Sequence, residues 1–231
     1  MPSKADFFPK AWPEIRLSWG ANASPGDWDA AIRLCLDNRL KVRYLDPIEA
    51  IVASRVLKGE GFLILTIQCS ILEFLASLRL GWNYRQGATW GTNFEYGASK
   101  RLFVDFLRHT PAFSESFPTQ ANAEDFYKDI RCGLIHEAQT KNGWVVRAGP
   151  SYPLIDFQTK IVNRDAVGAA INDYLHTYRQ ALKTEIPLQE AFSAAQPGLT
   201  RRPCVPRSMR HGPPTRRSTA AVSWSEYSAR S

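Results

Sequence analysis

The chain has 231 residues, a 44% hydrophobic fraction with seven Trp, eight Tyr and twelve Phe, and a formal net charge of +7. This is enough apolar material for one substantial core and excludes a chain disordered throughout. The charge is uneven: residues 195–231 hold seven arginines against one glutamate, leaving 22 basic and 21 acidic residues in 1–194, so a basic nucleic-acid-binding fold is not indicated by pI alone.

In chain order, residues 1–26 carry Pro2, Pro9, Pro13 and Pro25 and read as an irregular leader that packs through Phe7, Phe8, Trp12 and Trp19. The leader lacks the continuous apolar core of a signal peptide. A first helix is predicted from Asp27 to about Asn38. Asp46 caps a second, with Pro47 in its first turn, running to about Lys58. Gly59 and Gly61 separate it from the apolar stretch 61–80, "GFLILTIQCSILEFLASLRL". That stretch resembles a membrane span in length, but Gln68 and Glu73 sit inside it. A central acidic residue costs roughly 2.5–3.5 kcal/mol on insertion, so the expectation is a buried helix of a soluble bundle. Residues 81–99 read as a loop or loosely ordered crossover, 98–109 as a helix, and "TPAFSESFPTQ" as a proline-bounded turn.

The next helix, about 122–140, is predicted to be capped near Asn122 and Asp125. Residues 143–162 contain short β-like runs around the Gly149-Pro150 turn and predict a small hairpin. The clearest helix is 163–183, where Val167, Ile171, Tyr174, Leu175, Tyr178 and Leu182 recur at helical spacing. After about residue 186 order is expected to fade into a Pro-, Arg- and Ser-rich tail. The fold class expected is all-α: an up-and-down bundle of about five or six helices with a small β-hairpin insertion. Its divisions are a leader 1–26, a helical domain 27–186 and a disordered basic tail 187–231.

Cys35, Cys69, Cys132 and Cys204 are scattered, which points to reduced thiols and a cytoplasmic protein. His109 and His176 have no Cys or carboxylate neighbours at metal-ligand spacing, so no metal and no cofactor is expected. The sequence has no P-loop, no G-x-G-x-x-G and no G-x-S-x-G.

The stretch "DFYKDIRCGLIHEA", from Asp125, carries the chemistry. Phe126, Ile130, Gly133 and Leu134 form a core stripe on the helical wheel. Arg131 and His136 stand about 140° apart at 100° per residue, both on the opposite half, flanking Ile135, Cys132 and Lys128. An apolar strip bordered by a cation and an imidazole predicts a surface that meets another helix or a second copy of the chain. Gly133 predicts the close approach of another backbone. Imidazole titrates near neutrality and can move the protons of RNA cleavage, while a guanidinium grips the phosphate. One Arg–His set supplies one imidazole, and a symmetric dimer supplies two.

This Arg-x4-His arrangement near a helix end, "IRCGLIHEA" after a long apolar helix, resembles the HEPN superfamily over roughly residues 46–183. The resemblance implies a helical domain that forms a homodimer and a metal-independent endoribonuclease site, with Arg131 on the phosphate and His136 catalytic. Such domains occur in toxin–antitoxin systems, antiviral defence and RNA processing, so RNA and an antitoxin or other protein are the partners implied. Active members often carry a polar residue after the arginine, where this chain has Cys132. Catalytically silent members bind RNA, nucleotide or protein instead.

Glu73, a carboxylate in the most apolar helix, needs a partner. The simpler reading places it at the surface or against a local basic residue, and the alternative pairs it with Arg131. Asp129 is either a solvated carboxylate or the group that fixes the tautomer of His136. Trp82, Tyr84, Trp90, Phe94 and Tyr96, with Arg79 and Arg85, either anchor their loop or stack the bases of single-stranded RNA; Lys128 joins these arginines as an RNA contact.

Overall fold

A computed structural model describes residues 25–54, 58–90 and 94–195. The chain divides into two units, Met1–Leu199 and Thr200–Ser231, and everything described belongs to the first. The predicted packing of Phe7, Phe8, Trp12 and Trp19, and the basic tail from 196 onward, lie outside the described residues.

The fold is mainly helical with small β elements. Helix α1 (Pro25–Ile32) continues through wide π-helical turns over Arg33–Leu45 into α2 (Asp46–Ser54). The two separate helices expected here are one continuous rod. An α-helical register across Pro47 would press its ring on the carbonyl of Arg43. The wide turns end just before it, with the Asp46 N–H bonded to Lys41 O. Trp28, Ala31, Leu36 and Leu40 bury its inner face.

Helix α3 (Glu60–Leu80) is the centre of the bundle, burying Ile64, Leu65, Cys69, Ile71, Leu72, Leu75 and Leu78. By length and composition it could cross a membrane, and a little over half of its apolar window is buried inside the protein. Gln68 is 3% exposed and its Nε2 donates to Arg164 O at 2.8 Å. Gly81 ends the helix with φ +71°, and a Cβ there would lie 2.9 Å from the backbone of Ala191. Where a loop or loosely ordered crossover is expected, β1 (Asn83–Tyr84) and β2 (Glu95–Tyr96) pair in parallel, Asn83 opposite Glu95.

Helix α4 (Lys100–His109) lays Leu102, Phe103, Val104, Phe106 and Leu107 on the core. The expected turn after it contains a short helix, α5 (Pro111–Ser114), because Phe113 and Phe117 both bury there. The motif helix begins as α6 (Gln120–Asp125), passes through π-helical turns at Phe126–Arg131, and ends as α7 (Cys132–Glu137). Its cap is Thr119, whose Oγ1 accepts the N–H of Asn122 at 3.2 Å, three residues before the cap expected.

Strands β3 (Val145–Arg147), β4 (Ile155–Asp156) and β5 (Ile161–Asn163) form a sheet in the order β3-β5-β4. The hairpin is β4–β5; the run before the Gly-Pro turn pairs in parallel with β5, Val145 opposite Ile161. Asn163 holds that turn through Nδ2 to the carbonyls of Gly149 and Tyr152, and its Oδ1 caps α8 (Arg164–Leu182) by accepting from the Asp165 N–H. All six residues that mark the face of α8 are buried.

The expectation that order ends at 186 is corrected by α9 (Ile186–Ala194). Phe192 is fully buried and meets Trp28 edge-on at 6.2 Å, and Asn83 Nδ2 donates to Ala194 O at 2.9 Å. Burial of that one ring against α1 and α3 supplies the reason for a helix that composition alone does not suggest.

Gly133 is where the chain returns on itself. The backbone that approaches it is its own: a Cβ would lie 2.5 Å from Gln139 O and 3.2 Å from Lys141 Cγ. Ala138 closes the helix with φ 54°, and the Lys141 N–H reaches back to Asp129 O at 2.8 Å. Gly133→Ala is expected to destabilise by about 1–3 kcal/mol through overpacking, against a helix-propensity gain of about 1 kcal/mol. Thermal melting checks it, and an unchanged or higher Tm would refute the close approach.

Candidate active site

Arg131 sits at the end of the π-helical turns, where the extra residue per hydrogen-bonded ring rotates it away from the solvent half of the wheel and toward α3. Its Nη2 donates to Glu73 Oε2 at 2.7 Å, and its guanidinium lies 5.3 Å from the Tyr127 ring centre. The side chains are 15% and 18% exposed, so the pair is largely withdrawn from water. Of the two readings of Glu73, the structure has the pair with Arg131. Burial alone would lower the pKa of Arg131; the hydrogen bond and charge of Glu73 outweigh it and hold the guanidinium in its charged form.

A ring of polar and aromatic groups surrounds the pair. Tyr96 is 4% exposed, and burial, then the Glu73 charge, push its phenol above the usual range. Tyr127 hydrogen-bonds Ser99 at 3.1 Å. Cys69 is buried beneath them, its thiol pushed up to about 12 by burial. Cys132 is half-buried, with Sγ 3.9 Å from Arg131 Nη1, a loose contact. Arg131 Nε is buried without a hydrogen-bond partner among the described residues.

The pair opens onto a cleft of about 430 Å³ lined by Arg39, Ser70, Glu73, Phe74, Ser77, Trp82, Asn83, Tyr84, Tyr96, Arg131 and Ala195. Arg39, whose guanidinium lies 5.3 Å over the Phe74 ring, is a cation that sequence reasoning missed. No local signal marks it, because it reaches the cleft from the first rod.

His136 is exposed on α7 and does not line this cleft. It forms no hydrogen bond or ion pair with the described residues. Arg131 and His136 therefore do not share one outer face; they are separated by about 7.5 Å along the helix axis and by opposite exposure. Ile135, beside His136, is 40% exposed. Asp129 neither fixes His136 nor lies in solvent: it is 6% exposed and its Oδ1 accepts from Asn142 Nδ2 at 2.9 Å, clamping the turn beyond the helix.

Of the proposed RNA contacts, Lys128 is exposed and Arg85 is 68% exposed in a salt bridge to Glu95 at 3.2 Å. Arg79 is half-buried on α3. None of the three lines the cleft. Trp82 and Trp90 rings approach to 4.3 Å, and Arg101 lies 4.7 Å over Trp90, so part of the aromatic loop does anchor itself. Among the described residues, no three His, Cys, Asp or Glu side chains are grouped as metal ligands.

No protein-family model, no curated protein and no solved structure matches the chain.

Proposed function

We propose that the chain is a metal-independent endoribonuclease of HEPN type, acting as a homodimer in which two copies of Arg131 and His136 share a cleft. The observation that carries the reading is the charged Arg131, fixed by Glu73 at the rim of a cleft, on a helix whose exposed end presents His136 and Ile135 together. In the reaction the ribose 2′-oxygen attacks the adjacent phosphorus, its proton passing to one imidazole. The P–O5′ bond breaks and the leaving 5′-oxygen takes a proton from the imidazole of the second copy. Arg131 holds the non-bridging oxygens as charge gathers on them. The products are a 2′,3′-cyclic phosphate and a 5′-hydroxyl. A toxin or defence role, with an antitoxin or other protein as partner, fits this chemistry.

The test is incubation with mixed RNA in EDTA. Cleavage with cyclic phosphate ends is expected; an intact dimer that leaves RNA whole would defeat the catalytic reading. A second reading, a catalytically silent domain that binds RNA, nucleotide or protein, is favoured by one observation: His136 stands outside the cleft that holds Arg131. The dimer has its own test. Ile135→Asp places a charge at the centre of the proposed contact and is expected to give monomers in sedimentation; a variant that remains dimeric would remove this face from the interface.

A further inference from the structure

The cleft beside Arg131 has a second cation and an aromatic wall that a phosphate grip by one arginine does not use. Arg39 lines it from the first rod, stacked on Phe74. Tyr84 and Tyr96 line the same cleft, and their rings meet edge to face at 5.7 Å and 69°. Tyr96 is buried, while Tyr84 is 62% exposed, so most of its ring remains open at the cleft.

We propose that this cleft is a subsite for one nucleotide of single-stranded RNA, with the base on Tyr84 and the adjoining phosphodiester between Arg39 and Arg131. The inference rests on the endoribonuclease reading for the identity of the polymer, and on the following geometry for the rest. Among the described residues the charged side chains of the lining are Arg39, Arg131 and Glu73, which sum to a single positive charge. That charge matches a phosphodiester better than a terminal phosphate or a polyphosphate, which carry more. The volume of about 430 Å³ suits one nucleotide and not a duplex. An open tyrosine ring takes any unpaired base by its π-face, and a base within a helix cannot reach it. Ser70 and Ser77 line the same cleft; each donates its hydroxyl proton to its own helix, to Thr66 O and Phe74 O, and keeps a lone pair that can accept from a ribose hydroxyl.

The experiment uses the full chain and a fluorescein-labelled, uncleavable 2′-O-methyl 12-mer of mixed sequence, alone and annealed to its complement. Anisotropy is read at 0.3 M salt, so that the tail arginines contribute little. The single strand is expected to bind more tightly than the duplex. Tyr84→Ala is expected to weaken single-strand binding roughly 10-fold while Tyr84→Phe retains it. Arg39→Gln is expected to weaken it and to flatten the salt dependence by about one phosphate contact. Tyr84 is exposed, so its variants fold, which unchanged melting verifies. Parental affinity in both Tyr84→Ala and Arg39→Gln would overturn the subsite, even if the parent cleaves RNA. Tyr84-dependent binding by a protein that never cleaves would uphold the subsite and defeat the nuclease.

Discussion

His136→Ala abolishes RNA cleavage in EDTA and leaves folding and dimerisation unchanged: this is the largest effect expected of any single substitution. General acid–base groups contribute about 10²- to 10⁴-fold, and in a symmetric site the variant removes both imidazoles at once. The structural side of the expectation is equally definite. His136 is exposed and forms no hydrogen bond or ion pair with the described residues, so its loss strands no partner and opens no cavity. Single-turnover cleavage and melting of parent and variant, measured together, check both halves. Cleavage by the variant within about 3-fold of the parent, well inside the range expected for such a group, would remove His136 from the chemistry. Arg131→Ala is a poorer probe. It leaves the Glu73 carboxylate in a largely dry site, so lost activity would mix lost phosphate binding with local rearrangement.

Phe192→Ala lowers stability by about 3–5 kcal/mol, the usual cost of removing a fully buried aromatic ring. The ring is fully buried, edge-on to Trp28, and its helix approaches Gly81 so closely that a Cβ there would lie 2.9 Å from Ala191. A domain holds about 5–15 kcal/mol in all, so the variant loses roughly a fifth of its stability or more. The Tm is expected to fall by about 10 °C. Ending the chain at 186 should do as much harm, since it removes the same ring. A variant that melts with the parent would show that α9 does not close the core.

The parts of the fold that could be read from sequence are those where one residue type repeats on one face. The face of α8 is an example: six apolar positions at helical spacing can only be buried together. The core stripe of the motif helix is another, with Phe126, Ile130, Gly133 and Leu134 all buried. What escaped depended on information outside the local window. α9 has a single deep anchor, and "IPLQEAFSA" looks proline-broken, although Pro187 in a first turn and the Leu188–Phe192 spacing were signals of a helix. The pairing of β3 with β5 could not be seen, because a strand's sequence does not name its neighbour. The phase of Arg131 was misjudged for a different reason. A wheel drawn at 100° per residue assumes one hydrogen-bonding pattern, and wide turns at Phe126–Arg131 break it. The resemblance that suggested a function rests on the same few residues, and a spacing along the chain carries no information about how its helix is wound.

The ion pair of Glu73 and Arg131 has an evolutionary consequence. Two charges drawn this far from water contribute little net stability, and apolar residues of similar volume in such places are often neutral or better by about 1–4 kcal/mol. Drift toward leucine or methionine at both positions would therefore cost folding nothing. It needs two changes at once, however, since either alone strands a charge. The pair is a ratchet: easy to keep, hard to leave by single steps, and a standing reserve of stability that the domain forgoes while the guanidinium stays aimed at the cleft.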